Sequence, residues 1–238
     1  MRNEYYNKNI FLRICCLFIF QSLGLLAFSQ NDSELDYGLN ADYSFEKKIN
    51  NKFSANISEE LRLRTSEIVF ERASITAGLD YSAINNPAFK SSLKIGLYYA
   101  NMFIDAGNKL ILPRNRFMLN ITYKYNFYNF YASLRTRLEA TYIRKGDNDD
   151  LSQSYKVLNK FEIGYAFKEA PFGLFASCDL ATDLMAEKFG IARYRSKLGT
   201  SWNVKKNNEL QIYLKWDEFP DNKTNSLIAL GVSYLLKL

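Results

Sequence analysis

The stretch Phe117–Arg144, F-M-L-N-I-T-Y-K-Y-N-F-Y-N-F-Y-A-S-L-R-T-R-L-E-A-T-Y-I-R, contains two alternating segments around a short turn. Odd-numbered residues from 117 to 125 are apolar or aromatic; even-numbered residues from 130 to 140 are mostly apolar, and their odd-numbered neighbours mostly polar. Because side chains alternate across a strand, this pattern predicts a β-hairpin with one apolar and one polar face. The polar face carries Arg135, Arg137 and Glu139. The fold is therefore either a soluble sandwich that exposes this face or a membrane barrel that encloses it.

Composition excludes several classes of protein. The chain has 238 residues, enough for one large all-β domain, and 17 Tyr and 18 Phe, which favour strands and membrane-interface girdles. Its net charge of +6 is scattered and forms no basic run, so we predict no nucleic-acid partner. There is no histidine, which removes Ser-His-Asp, Cys-His and His-zinc sites. We therefore predict no catalytic residues, metal or cofactor.

The first 29 residues have the features of a secretory signal peptide. Three basic residues precede an apolar run at 14–28, and Ala27 and Ser29 occupy the positions that a signal peptidase recognises. The run is shorter than the roughly 20 residues of a spanning helix, which argues against an uncleaved anchor. The predicted mature chain is a single barrel domain at 30–238, exported to the cell outer membrane.

Alternation continues to the end of the chain and predicts an all-β, antiparallel, up-and-down transmembrane β-barrel of about 10–12 strands. Eleven segments are candidates: 35–45, 53–63, 73–81, 93–99, 117–125, 130–141, 157–167, 173–180, 192–204, 209–217 and 228–238. Single-chain bacterial barrels have even strand numbers, so the count is left between ten and twelve.

The connectors support a membrane barrel over a sandwich. Those at 48–51, 83–88, 126–129, 168–172 and 205–208 are short, and long loops are predicted at 101–113 and 145–154. Outer-membrane barrels have short periplasmic turns and longer extracellular loops. The aromatic turn N-F-Y-N-F-Y (Asn126–Tyr131) predicts an interfacial girdle or, alternatively, a platform that binds carbohydrate or a partner.

Inward positions of this barrel would carry a charged network. Its candidate members are Glu60, Arg62, Arg64, Arg72, Asp80, Arg116, Lys124, Arg135, Arg137, Glu139, Glu162, Asp179, Arg193, Arg195 and Lys197. The same faces hold Lys94, Lys160, Lys215, Glu209 and Asp217. Arginine forks suit carboxylates, so the network can fill a narrow lumen as ion pairs.

The last strand, G-V-S-Y-L-L-K-L, places Gly231, Tyr234 and Leu236 at the spacing of a barrel-assembly signal. Most such signals end in an aromatic residue, whereas this chain ends in Leu238. With E-E-L-R-L-R at 59–64 and R-T-R-L-E at 135–139, the mature chain resembles an uncharacterised, domain-of-unknown-function family of small Gram-negative outer-membrane β-barrels. The resemblance implies a fold and a location, the lipid bilayer and the barrel-assembly machinery as partners, and no catalytic residues.

Four functions follow from these observations. The first is a non-enzymatic barrel packed by its Arg/Glu-lined lumen. The second is a small passive pore that favours anions, because the inward charges have a positive excess. Loop-mediated adhesion and a histidine-independent barrel enzyme are the others. The sequence predicts no oligomeric state.

Overall fold

The computed structural model describes residues 35–64, 69–86, 90–105, 111–145, 150–168, 170–185, 190–205, 207–220 and 226–238. The predicted signal peptide at 1–29 lies outside these residues. Within the described part of the chain, no helix is long and apolar enough to cross a membrane.

Eleven strands form one closed barrel. They are β1 (Leu35–Lys48), β2 (Phe53–Arg64), β3 (Val69–Asn86), β4 (Ser91–Asp105), β5 (Ile111–Phe127), β6 (Phe130–Lys145), β7 (Asp150–Ala166), β8 (Phe172–Asp183), β9 (Gly190–Lys205), β10 (Asn208–Glu218) and β11 (Ser226–Lys237). Each pairs with its neighbours in sequence, and β1 closes against β11. The prediction of an all-β barrel of 10–12 strands is confirmed.

The odd number of strands has one consequence that the sequence analysis did not predict. Sequential neighbours run antiparallel, but β1 and β11 run parallel, with Leu35 opposite Ser226 and Glu46 opposite Lys237. When the direction alternates along an odd number of strands, the first and the last strand run in the same direction, so the pair that closes the barrel must be parallel. The purely antiparallel arrangement is therefore wrong at this seam.

The predicted long loops are also wrong. Strand β4 continues to Asp105 and β5 begins at Ile111, so most of 101–113 is strand. Likewise β6 ends at Lys145 and β7 begins at Asp150, which places most of 145–154 in strands. The connections at one end of the barrel have 2–5 residues, and those at the other end 4–7 residues. The asymmetry is in the predicted direction but smaller.

The outward face is apolar along its middle. Large side chains such as Leu97 and Leu198 are 65% and 66% exposed, a surface that a water-soluble protein avoids. At the short-turn end, a chain of neighbouring rings runs from β5 to β8: Tyr125, Phe127, Phe130, Tyr165, Phe167 and Phe172. The aromatic turn at 126–131 thus belongs to a band of aromatic residues around this end.

Candidate functional site

The charged interior of the barrel is the candidate functional site. Three acids, each held by two cations, organise it. Asp217 on β10 lies opposite Arg195 on β9, and Arg195 donates hydrogen bonds to both carboxylate oxygens, with Nη2 2.8 Å from Oδ2. Lys215, two residues earlier on the same face, places Nζ 3.2 Å from Oδ2. Asp217 is 0% exposed and Lys215 1%, so this is the most deeply buried cluster.

Glu60 on β2 and Glu139 on β6 form equivalent clusters on other strands of the barrel. The Glu60 carboxylate accepts hydrogen bonds from Arg62, at 2.6 Å from Nε, and from Arg72, at 2.8 Å. The Glu139 carboxylate lies 3.3 Å from Arg116 and 3.4 Å from Arg137. Each acid thus joins cations that would otherwise repel one another, such as Arg62 and Arg72, which are directly opposite across β2 and β3.

Other predicted network members have looser or different partners. Arg135 approaches Asp179 only to 4.0 Å. Among the described residues, no acid lies within 4 Å of the guanidinium of Arg193. Lys124 and Lys197 lie over tyrosine rings, with Nζ 4.2 and 4.3 Å from the ring centroids. These two lysines therefore make cation–π contacts with tyrosine rings on the inner face of the barrel.

One predicted member lies at the rim. Arg64 ends β2, its side chain is 47% exposed, and its nearest acids are Asp36 at 3.6 Å and Glu71 at 4.0 Å. Long pairs of this kind to a half-exposed arginine contribute little to stability. Arg64 lies at the end of the barrel, two residues beyond Arg62 of the Glu60 cluster, and takes no part in the buried clusters.

Inward tyrosines that bind carboxylates are a feature of the interior that the sequence did not predict. Each donates its hydroxyl to a carboxylate: Tyr98 to Asp80 at 2.5 Å, Tyr131 to Glu162 at 3.0 Å, and Tyr213 to Asp42 at 2.6 Å. Glu162 is also paired with Lys160 at 2.5 Å.

Each of these tyrosines also lies over a glycine of an adjacent strand. The glycines are Gly78, Gly164 and Gly231, and a Cβ at any of them would come within 2.1–2.2 Å of the ring. The pairing of an inward tyrosine with a glycine directly opposite, as for Tyr213 and Gly231, is a sequence signal that could have identified these contacts.

The predicted assembly residues lie in β11 and just after it. Gly231 faces inward beneath Tyr213, and Tyr234 stacks outward on Tyr43 across the seam, at 5.8 Å between centroids. The backbone N–H of Leu238 donates to the carbonyl of Glu46 at 2.8 Å. Leu236, in register with Phe45, lies on the same outward face as Tyr234. Three of the four residues thus lie on the strand that closes the barrel, and Leu238 directly follows it.

Between the clusters lies a cavity of about 500 Å³. Eight basic residues and five acidic ones line it, and one of the acids, Glu59, has its side chain on the outward face of β2. In the part of the chain that the structure describes, no group of three His, Cys, Asp or Glu residues could hold a metal ion. The site is thus an arginine-rich chamber, and its chemistry is that of charge pairing.

A closed barrel with an apolar exterior and a charged interior places this chain among the all-β barrel proteins. The sequence profile of the family described as "Protein of unknown function (DUF2490)" matches residues 39–227. The chain belongs to this family, which confirms the resemblance inferred from its motifs.

Two further comparisons complete this picture. No curated protein matches the chain. Among solved structures, it is similar to the translocator domain of autotransporter NalP from Neisseria meningitidis, at 13% identity and a TM-score of 0.40. That match covers 72% of this chain and 70% of the other.

Proposed function

We propose that this protein is an integral outer-membrane β-barrel, non-enzymatic, whose interior is packed by ion pairs. The observation that supports it best is the inversion of the usual pattern: large apolar side chains outside, and Asp217 and Lys215 fully buried inside. In a membrane barrel the outward apolar band is about 25 Å tall and flanked by aromatic girdles. The ring chain at the short-turn end matches one of these girdles.

Geometry favours a structural role for the interior. Asp217, Glu60 and Glu139 each satisfy two cations at hydrogen-bond or ion-pair distance. Buried charges are tolerated only when they are paired and hydrogen-bonded. These pairs therefore join adjacent strands from within, and their side chains occupy part of the lumen.

The two ends of the barrel suggest its orientation and partners. Short turns lie on the periplasmic side of outer-membrane barrels, and Lys237, the last residue of β11, lies at the short-turn end. The lipid bilayer would contact the apolar exterior, and the barrel-assembly machinery would engage β11 through Tyr234 and its neighbours. The export expected from a signal peptide at 1–29 belongs to the same proposal.

Conductance in a planar lipid bilayer tests the proposal, on refolded protein that is first shown to be heat-modifiable on a gel. A packed barrel inserts without producing stable current steps. Failure to refold into a heat-modifiable, bilayer-inserting species would refute the membrane barrel itself.

A small anion-favouring pore is the second candidate, and the cavity supports it. Eight basic side chains against four inward acidic ones would attract anions into the lumen. Ohmic current steps, with a reversal potential in a salt gradient that indicates anion preference, would support this pore and contradict the packed barrel. Steps without selectivity would contradict both candidates.

A further inference from the structure

The cavity inside the barrel has an uncompensated positive charge. Its lining has three more basic than acidic side chains, and one of the acids, Glu59, belongs to the outward face of β2, between the exposed Ile57 and Leu61. The cavity extends to Phe219, the first residue after β10, at the end of the barrel with the longer connections. The cavity therefore lies toward that end of the barrel.

Several arginines in this chamber have nitrogen atoms without partners. The Nε atoms of Arg72, Arg135 and Arg193 are inaccessible to solvent and, within the described part of the chain, have no hydrogen-bond partner. A buried donor that lacks an acceptor is costly, more so on a charged group. Arg135 and Arg193 also lack a close acid, as described above, so their charge is the least compensated.

Arginines from different strands converge here. Arg72 on β3 is close enough to Arg62, Arg116 and Arg195 for their charges to interact. Arg193 interacts with Arg195 and Arg62 in the same way. Four strands therefore direct guanidinium groups toward one region, and their mutual repulsion falls if an anion lies among them.

We propose that this chamber binds a small tetrahedral oxyanion of the phosphate class. The planar fork of arginine donates two parallel hydrogen bonds to such an anion, and several forks can share its oxygens, which a monovalent halide does not allow. A volume of about 500 Å³ admits a small phosphate and its water but no macromolecule. The inference rests on the proposed barrel for its setting, but it requires binding and not conduction.

Isothermal titration calorimetry on the refolded, heat-modifiable barrel in detergent tests this site. The probe is inorganic phosphate. A separate titration with sodium chloride at equal ionic strength is the reference. The informative variants are Arg193→Gln, which removes no ion pair among the described residues, and Arg135→Gln, which removes only the 4.0 Å approach to Asp179. The matched control is Arg64→Gln, an arginine at the rim that does not line the cavity.

We expect saturable binding of one phosphate per barrel, weakened about tenfold or more in both chamber variants, since each loses a charged hydrogen-bond donor. Arg64→Gln should bind like the wild type. Arg193→Lys, which keeps the charge, serves if the glutamine variants do not refold, and should bind more weakly than wild type because lysine lacks the fork.

Three outcomes would overturn the inference. The first is no saturable heat at about 10 mM phosphate, where a site of about 1 mM affinity is mostly filled. The second is a phosphate affinity that falls as much in Arg64→Gln as in the chamber variants. The third is an unchanged phosphate affinity in all variants. Each is measured on a folded barrel, so none can be confused with failure of the proposed fold in a membrane.

Discussion

Replacing Asp217 by asparagine should be the most damaging single substitution in the barrel interior. Asp217 is the shared partner of Arg195, which holds both of its oxygens, and of Lys215, whose Nζ lies 3.2 Å away. The substitution removes one negative charge and leaves two cations side by side in a place where Lys215 is 1% exposed. Removing one partner of a buried ion pair costs about 3–5 kcal/mol of unfolding free energy. With two cations left, we expect a loss in that range.

The assay is chemical unfolding of the refolded barrel in detergent. Trp202 and Trp216 both lie on the outward face, and Trp216 directly precedes Asp217, so tryptophan fluorescence reports on this wall. The control is Asp36→Asn, because Asp36 pairs at 3.6 Å with the half-exposed Arg64 at the rim. A surface pair of this kind contributes about 0–1 kcal/mol.

Two results would refute this reasoning. The first is an unfolding free energy of Asp217→Asn equal to that of Asp36→Asn. The second comes from a triple variant, Asp217→Leu with Arg195→Met and Lys215→Met, which removes the charges together. Replacing a complete buried ion pair by apolar residues is often neutral or stabilising. The triple variant should therefore regain most of the lost stability, and if it is as unstable as Asp217→Asn, packing and not charge controls this wall.

Three further predictions use the same refolded protein. Arg137→Ala should cost about 1–3 kcal/mol and exceed the cost of Arg135→Ala, because only Arg137 makes close hydrogen bonds; equal unfolding midpoints would contradict this. Gly231→Ala should slow refolding into the heat-modifiable form, because a Cβ there would lie 2.2 Å from the Tyr213 ring, and an unchanged refolding rate would argue against that contact. Glu59→Leu should raise the unfolding midpoint in lipid, since a carboxylate on the lipid face is unfavourable; a lower midpoint would indicate an unrecognised partner.

The sequence was sufficient for the strands and their faces because alternation is a local property. The hairpin predicted at 117–144 forms parts of β5 and β6, and Arg137 and Glu139 face the interior as their positions in the alternation require. It was insufficient at the strand ends. Asn101 and Asn115, which lie opposite one another, interrupt the apolar pattern of β4 and β5 next to the loop that the sequence predicts at 101–113. Outward apolar positions resume beyond them at the exposed Phe103 and Ile111, so the strands continue past a local interruption of the alternation.

Pairing inside the barrel was only partly predictable. Arg195 and Asp217 lie opposite one another around a two-residue turn, so the register of that hairpin determines their contact. The hydrogen bond from Tyr213 to Asp42 joins residues 171 positions apart, across the seam. No local pattern determines such a contact, because it depends on closure of the whole barrel.

The parallel seam is where these long-range contacts concentrate. Parallel pairing is slightly less stable per residue than antiparallel pairing, so the seam needs additional support from side chains. Tyr43 and Tyr234 stack across it on the outside. On the inside, Tyr213 of β10 passes over Gly231 of β11 and donates to Asp42 of β1, which links three strands with one side chain. Any larger residue at 231 would obstruct that path. The glycine of the last strand therefore stabilises the closure by leaving room for a neighbour.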